Sequence, residues 1–313
     1  DRVALRHTWR VAHDHGALTA GGKHRGRLAI ALAIAAAVFV MELVGAVVTG
    51  SIALLAAAGD VFTDMFGVAF ALVAATMAQR PPTLGRTFGW QRLEVVAEAA
   101  NALLLIGVGL YVAVEAVRRL VHPEPVEAGL MLAVAVIGLI ANLVSLRILT
   151  AGKDESINVR GAYLEVLGDM LGSAAVVAAA GIIVLTGWDR ADAVASLAVA
   201  GLILPRSLRL LRDALRILME AAPADLDVAE VRGHLTEVPG VVDVHDVHVW
   251  TITSGVPALT AHVVVDRGTL DACGPESMLH QLQKSAEDCF DITHTTFQVE
   301  PTDHREHEHG AHQ

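Results

Sequence analysis

Gly59-Asp60-Val61-Phe62-Thr63-Asp64 lies inside a long apolar run, 51–78, and Glu165-Val166-Leu167-Gly168-Asp169 lies inside another, 158–186. In each stretch two acids stand four residues apart, so on a helix both project from one face. Each run is long enough to cross a bilayer, which takes ~20 residues. An ionised carboxylate in mid-membrane costs about 2.5–3.5 kcal/mol, so four left alone cost on the order of 10 kcal/mol. Something must neutralise them. No Lys, Arg or His stands near the middle of an apolar run, so the sequence predicts no basic partner for these acids. Protons or a divalent cation would serve, and either makes the four carboxylates a transport site.

Working outward, six such runs cover 28–48, 51–78, 93–121, 128–150, 158–186 and 191–211. The 313 residues are 54 % hydrophobic, with a mean hydropathy of +0.52, which sets the chain apart from ordinary soluble domains. Pro81 and Pro82 end the second run, and Thr49-Gly50 turns the first into it. Lys and Arg divide unevenly between the two sides. Sixteen fall in the N-terminal stretch, the loops after runs two and four, and at and beyond the end of run six (Arg206, Arg209, Arg212, Arg216). Three, Arg118, Arg119 and Arg190, fall on the opposite side. By the positive-inside rule both termini are cytoplasmic. Glu42, Glu94, Glu98 and Asn101 are further polar residues within the runs, read as helix–helix hydrogen bonding or interface placement.

Beyond Pro223 the period changes. Residues 225–237 read as an amphipathic helix, 241–253 and 258–265 as strands, 276–290 as a helix and 293–299 as a third strand. That order, α-β-β-α-β, fits a small two-layer α+β domain of ferredoxin-like type. The predicted fold class is therefore an α-helical membrane protein with six transmembrane helices plus a C-terminal ferredoxin-like domain. The divisions are a His-bearing, unstructured segment over 1–27, a membrane domain over 28–218, a cytoplasmic domain over 223–301 and a His-rich tail over 302–313. Cys273 and Cys289 are too few for a disulfide framework and read as reduced. A net charge of −11 argues against nucleic-acid binding. The polar N-terminal stretch carries no cleavable signal pattern. Arg in excess of Lys hints at a GC-rich bacterial genome.

Four further stretches carry a family resemblance. They are Gly50-Ser51-Ile52-Ala53-Leu54-Leu55-Ala56, Arg86-Thr87-Phe88-Gly89-Trp90-Gln91-Arg92-Leu93-Glu94, Asn158-Val159-Arg160-Gly161-Ala162 and Val244-His245-Asp246-Val247-His248-Val249-Trp250. Together with the acidic pairs, the chain resembles the cation diffusion facilitators of zinc type, which exchange divalent metal for protons. The resemblance implies a homodimer in a bacterial plasma (inner) membrane, each protomer with a metal transport site on Asp60, Asp64, Glu165 and Asp169. It implies a second metal site in the cytoplasmic domain on His245, His262 and His280, with His294 and Glu300 as secondary candidates. His248 is read as structural or strand-exposed.

The chain departs from the zinc-type pattern in one respect. Many such members have His, or Asp, where this chain has Asp60, and usually His where it has Glu165. Oxygen donors alone suit harder ions such as manganese, although they also bind Zn²⁺. Zinc stays the first expectation, with manganese, iron, cobalt or cadmium as alternatives. Four carboxylates carry more charge than one divalent ion offsets, so at least one is expected to hold a proton until metal arrives and expels it. Protons are then the counter-ion. A membrane-bound metal sensor without turnover and an intramembrane protease are the competing classes. The first has no use for intramembrane acids, and the second needs two acids rather than four and leaves the soluble domain unexplained.

Overall fold

The computed structural model describes residues 17–150, 157–253, 255–302 and 304. Six long helices come first: α1 (Ala17–Thr49), α2 (Ile52–Ala78), α3 (Leu93–Val121), α4 (Ala128–Thr150), α5 (Ile157–Thr186) and α6 (Arg190–Leu218). All six are long and apolar enough to cross a membrane. The helix α1 starts at Ala17, so the polar stretch from there to residue 27 is helical and not the unstructured chain expected. His7, His13, His15 and the tail beyond His304 lie outside the described residues. The chain groups into two compact units. One runs up to Phe66 and adds Leu104–Ser207; the other is Gly67–Leu103 with the chain from Leu208.

In the first unit, α4 packs against α1 and α5. The shared core is built largely from small and branched side chains, among them Ala53, Leu54, Ala135, Val176 and Ala180, with Met131 between them. Small residues let membrane helices approach closely. At Gly59 the approach is tight: a Cβ there would stand 2.7 Å from Val108 of α3. Gly50, with φ +71°, closes α1, its N–H donating to the Ala46 carbonyl at 2.9 Å. The start of α2 is capped from a distance. Asp192 of α6 is 1 % exposed and accepts from the Ser51 hydroxyl, from the Ile52 N–H at 2.9 Å and from the Ala53 N–H at 3.2 Å. The orphan donors of one helix are thus satisfied by a carboxylate of another.

The helix α6 runs seven residues past the predicted end at 211. Arg206, Arg209, Arg212 and Arg216 alternate with leucines at helical spacing, so the basic stretch continues the helix. Arg206, near the end of the predicted run, thus stands in the helix interior, next to Pro205.

The second unit contains the C-terminal α+β domain. Its elements are α7 (Val228–Thr236), β1 (Val241–Thr253), β2 (Val256–Val265), α8 (Arg267–Phe290) and β3 (His294–Pro301). The order is the predicted one. The sheet runs β1-β2-β3, with β1 antiparallel and β3 parallel to β2. Its core includes Leu235, Val244, Leu259, Val263, Met278, Leu282 and Ile292. Asp227 caps α7 through the Ala229 N–H. The helix α8 begins nine residues before the predicted start, because a first stretch precedes a kink at Gly274, φ +76°, followed by Pro275. Two side-chain pairs tie this unit further. Arg92 Nη2 meets Glu220 Oε1 at 2.8 Å, and the Thr253 hydroxyl donates to Glu94 Oε2 at 3.0 Å.

Candidate functional site

Asp60 and Asp64 stand on one face of α2, Glu165 and Asp169 on one face of α5, and all four are half-buried. Asp64 interacts electrostatically with each of the other three. Asp64 Oδ2 and Asp169 Oδ1 are buried with no hydrogen-bond partner among the described residues. Buried carboxylate oxygens are nearly always satisfied, so such atoms mark places for a proton or an ion. A cavity of about 500 Å³ is lined by Asp60, Glu165, Gly168, Arg206 and Ser207. A smaller pocket holds Asp60 and Asp169 together with Glu42, Asn142 and Ser173. Asp60 therefore borders both, and Asp64 borders neither. No three of the four acids bring ligand oxygens within 4.8 Å of one another among the described residues.

Two residues here escaped the sequence reading. Arg206 Nη2 lies 3.4 Å from Glu165 Oε1, so one of the four acids does have a basic neighbour, contrary to expectation. The sequence reading counted Arg206 among the basic residues at the cytoplasmic end of run six and not as a partner for the acids. Glu42, expected to serve helix contacts, is 1 % exposed beside the acids, and its Oε2 lacks a partner among the described residues.

The C-terminal domain brings a second set together. His245 on β1 faces His262 on β2 in register, and their ring centroids are 5.3 Å apart. Glu300 on β3 is 2 % exposed, and its Oε1 lies 2.9 Å from His262 Nδ1. Gln298 Nε2 donates to the same oxygen at 2.8 Å, and Glu300 Oε2 has no partner among the described residues. Ligand atoms of His245, His262 and Glu300 all lie within 4.8 Å of one another. Two imidazoles and a carboxylate are a zinc-type donor set, and the unsatisfied Glu300 oxygen fits a metal.

Two of the five predicted positions stand apart. His280 is exposed on α8. His294 is exposed at the far end of β3, edge-on to Phe88 at 5.5 Å between centroids. Asp246 was not anticipated. A bulge between His245 and His248 gives it φ +50° and sends its carboxylate between two rings, with Oδ1 3.1 Å from His248 Nε2 and Oδ2 3.8 Å from His262 Nε2. Its place in His245-Asp246-Val247-His248 is the signal that was available.

The family model of the cation efflux transmembrane domain matches residues 28–219, and that of the cation efflux protein cytoplasmic domain matches 223–302. The chain belongs to the cation diffusion facilitator family. Among its relatives, the metal cation efflux system protein CzcD of Cupriavidus metallidurans is 45 % identical over 290 residues, covering 92 % of this chain and 89 % of that one. The zinc transporter ZitB of Escherichia coli is 40 % identical over 295 residues, covering 93 % of each. A Bacillus subtilis protein named as a cadmium, cobalt and zinc/H(+)-K(+) antiporter is 36 % identical over 296 residues, covering 94 % and 93 %. A solved structure of the metal-bound C-terminal domain of the CzcD transporter from Cuprividus metallidurans shares 45 % identity, covering 24 % of this chain and 99 % of that one, at a TM-score of 0.22. This member of the family is a multi-pass membrane protein with six spanning helices.

Proposed function

We propose that the protein is a secondary transporter, not an enzyme, that exports divalent metal cations, zinc first, from the cytoplasm in exchange for protons. The observation that carries this reading is the pair of acids on α2 and the pair on α5, with buried oxygens of Asp64 and Asp169 that have no hydrogen-bond partner among the described residues. Asp60, Asp64, Glu165 and Asp169 are the proposed transport ligands. The metal is cargo, held by oxygens and released on the other side. The names of the relatives, with zinc, cadmium and cobalt among them, support the substrate class.

The C-terminal domain, 223–301, is proposed as cytoplasmic, following the membrane domain 28–218, with both termini on the cytoplasmic side of a bacterial inner membrane and the protein a homodimer. His245, His262 and Glu300 would hold a resident metal there. A bound divalent ion would supply charge that fixes the three strands. Asp246 orients the rings beside it, and His280 and His294 are assigned no part in this protomer's site.

A second reading keeps the scaffold and changes the ion. Four oxygen donors suit manganese, iron, cobalt or cadmium export where imidazole would favour zinc. Full-length protein in liposomes that contain a metal-sensitive and a pH-sensitive dye separates the readings. Zinc flux with opposite proton flux is expected. Flux of manganese in preference to zinc would select the second reading, and binding without flux would leave a metal sensor.

A further inference from the structure

Arg206 enters the transport cavity as a charge that no metal brings. It sits in Leu204-Pro205-Arg206-Ser207 on α6, its side chain 46 % exposed, with Nη2 3.4 Å from Glu165 Oε1. It lines the same cavity as Asp60 and Glu165. It also interacts electrostatically with Asp64, Asp60 and Asp169, so its charge is felt by all four acids. A guanidinium does not lose its proton in proteins, so it offsets one negative charge at any working pH.

Resting on the export reading, we propose that Arg206 is a tethered cation that competes with the transported metal for the Glu165 carboxylate. The same oxygen cannot be fully committed to both. Metal binding must draw Glu165 away from Arg206, and Arg206 reclaims Glu165 as metal leaves. The residue is thus a positioning residue that weakens metal binding and speeds release. Such a trade-off favours a transporter, since a site that only tightens stalls the cycle. The adjacent Pro205 has no N–H to donate to the preceding turn, so this part of α6 has one backbone hydrogen bond fewer to resist small shifts. The pair is half-exposed and so of modest strength, which sets the expected size of the effect at several-fold.

The experiment measures zinc transport by the full chain in liposomes, with KM and kcat read separately. Arg206→Gln is expected to lower KM about twofold to fivefold and to lower kcat with it. Arg206→Lys keeps the charge but loses the planar fork, and its KM is expected between the two. In a Glu165→His background, where Arg206 has lost its ion-pair partner, Arg206→Gln is expected to move KM less than about twofold. A KM that is unchanged or raised in Arg206→Gln overturns the proposal, as does an equal fall in the Glu165→His background. If Arg206→Gln fails to insert, the Lys variant decides alone, and an unchanged or raised KM overturns it. Absence of metal flux in the parent protein would instead overturn the export reading.

Discussion

The two metal-capable regions differ in how far they are assembled. In the C-terminal domain His245, His262 and Glu300 converge within 4.8 Å, on three strands whose register is fixed by backbone pairing. In the membrane, the four acids stand on two helices, three of them along two cavities, but no three meet within that distance among the described residues. Donor chemistry differs in the same sense, imidazole and carboxylate against carboxylate alone. A strand-held cluster with nitrogen donors suits an ion that stays. Oxygens on separate helices, one of them shared with Arg206, suit an ion that must leave. Retention and turnover impose opposite demands, and the two proposed sites would meet them with different elements and different atoms.

The contrast can be broken most directly at the membrane acids. Asp64→Ala or Asp169→Ala is expected to abolish metal flux, a loss of more than about a hundredfold, with insertion and folding intact. Each removes a ligand from a set with no spare one. Flux near the parent level from correctly inserted Asp64→Ala would sink the assignment of the transport site.

Glu300→Ala tests the other half. Metal affinity of the isolated 223–301 segment should fall about tenfold to a hundredfold, because even groups that only support metal ligands have effects of that order. The segment has its own core and is expected to fold alone, and to dimerise more tightly with zinc. Sedimentation at varied zinc concentration reads both. A monomer at every concentration would remove the dimer from the proposal, and an unchanged affinity would remove Glu300 from the site.

A smaller effect sharpens the donor argument. Glu165→His should retain transport and shift preference from manganese toward zinc by a few-fold, since imidazole suits the softer ion. Competition between the two metals in liposomes measures it. Unchanged selectivity would place Glu165 outside the metal's reach. The least effect is expected from deleting 303–313, less than twofold on flux, because that stretch has no apolar periodicity to hold a fixed structure.

The spanning helices were legible because a bilayer demands ~20 apolar residues and the sequence has six such runs. The acidic pairs were legible because charge in that setting is costly. The succession of helices and strands in the C-terminal domain was legible from the change of period beyond Pro223. What escaped was tertiary. Arg206 read as one of the basic residues at the cytoplasmic end of run six, and only the packing of α6 beside α5 brings it to Glu165. His294 and Glu300 share one strand but lie six residues apart, about 20 Å at strand rise, so one strand could not bring both to one ion. His280 projects from a helix into solvent, and local pattern could not show that it misses the strands. The bulge that aims Asp246 depends on a register shift that only the paired strand defines.

Asp192 has a consequence for motion. By holding the first residues of α2 from the first turn of α6, it makes that end of the two helices a fulcrum. Arg206 lies fourteen residues farther along α6, about 21 Å at helical rise. If this tie holds while the angle between the helices changes by about 5°, the Arg206 end swings by about 2 Å, on the scale of the helix shifts seen in switching proteins. A lever so arranged changes the spacing of α2 and α6 less beside Asp60, about 12 Å from the pinned end, than beside Asp64 and Arg206.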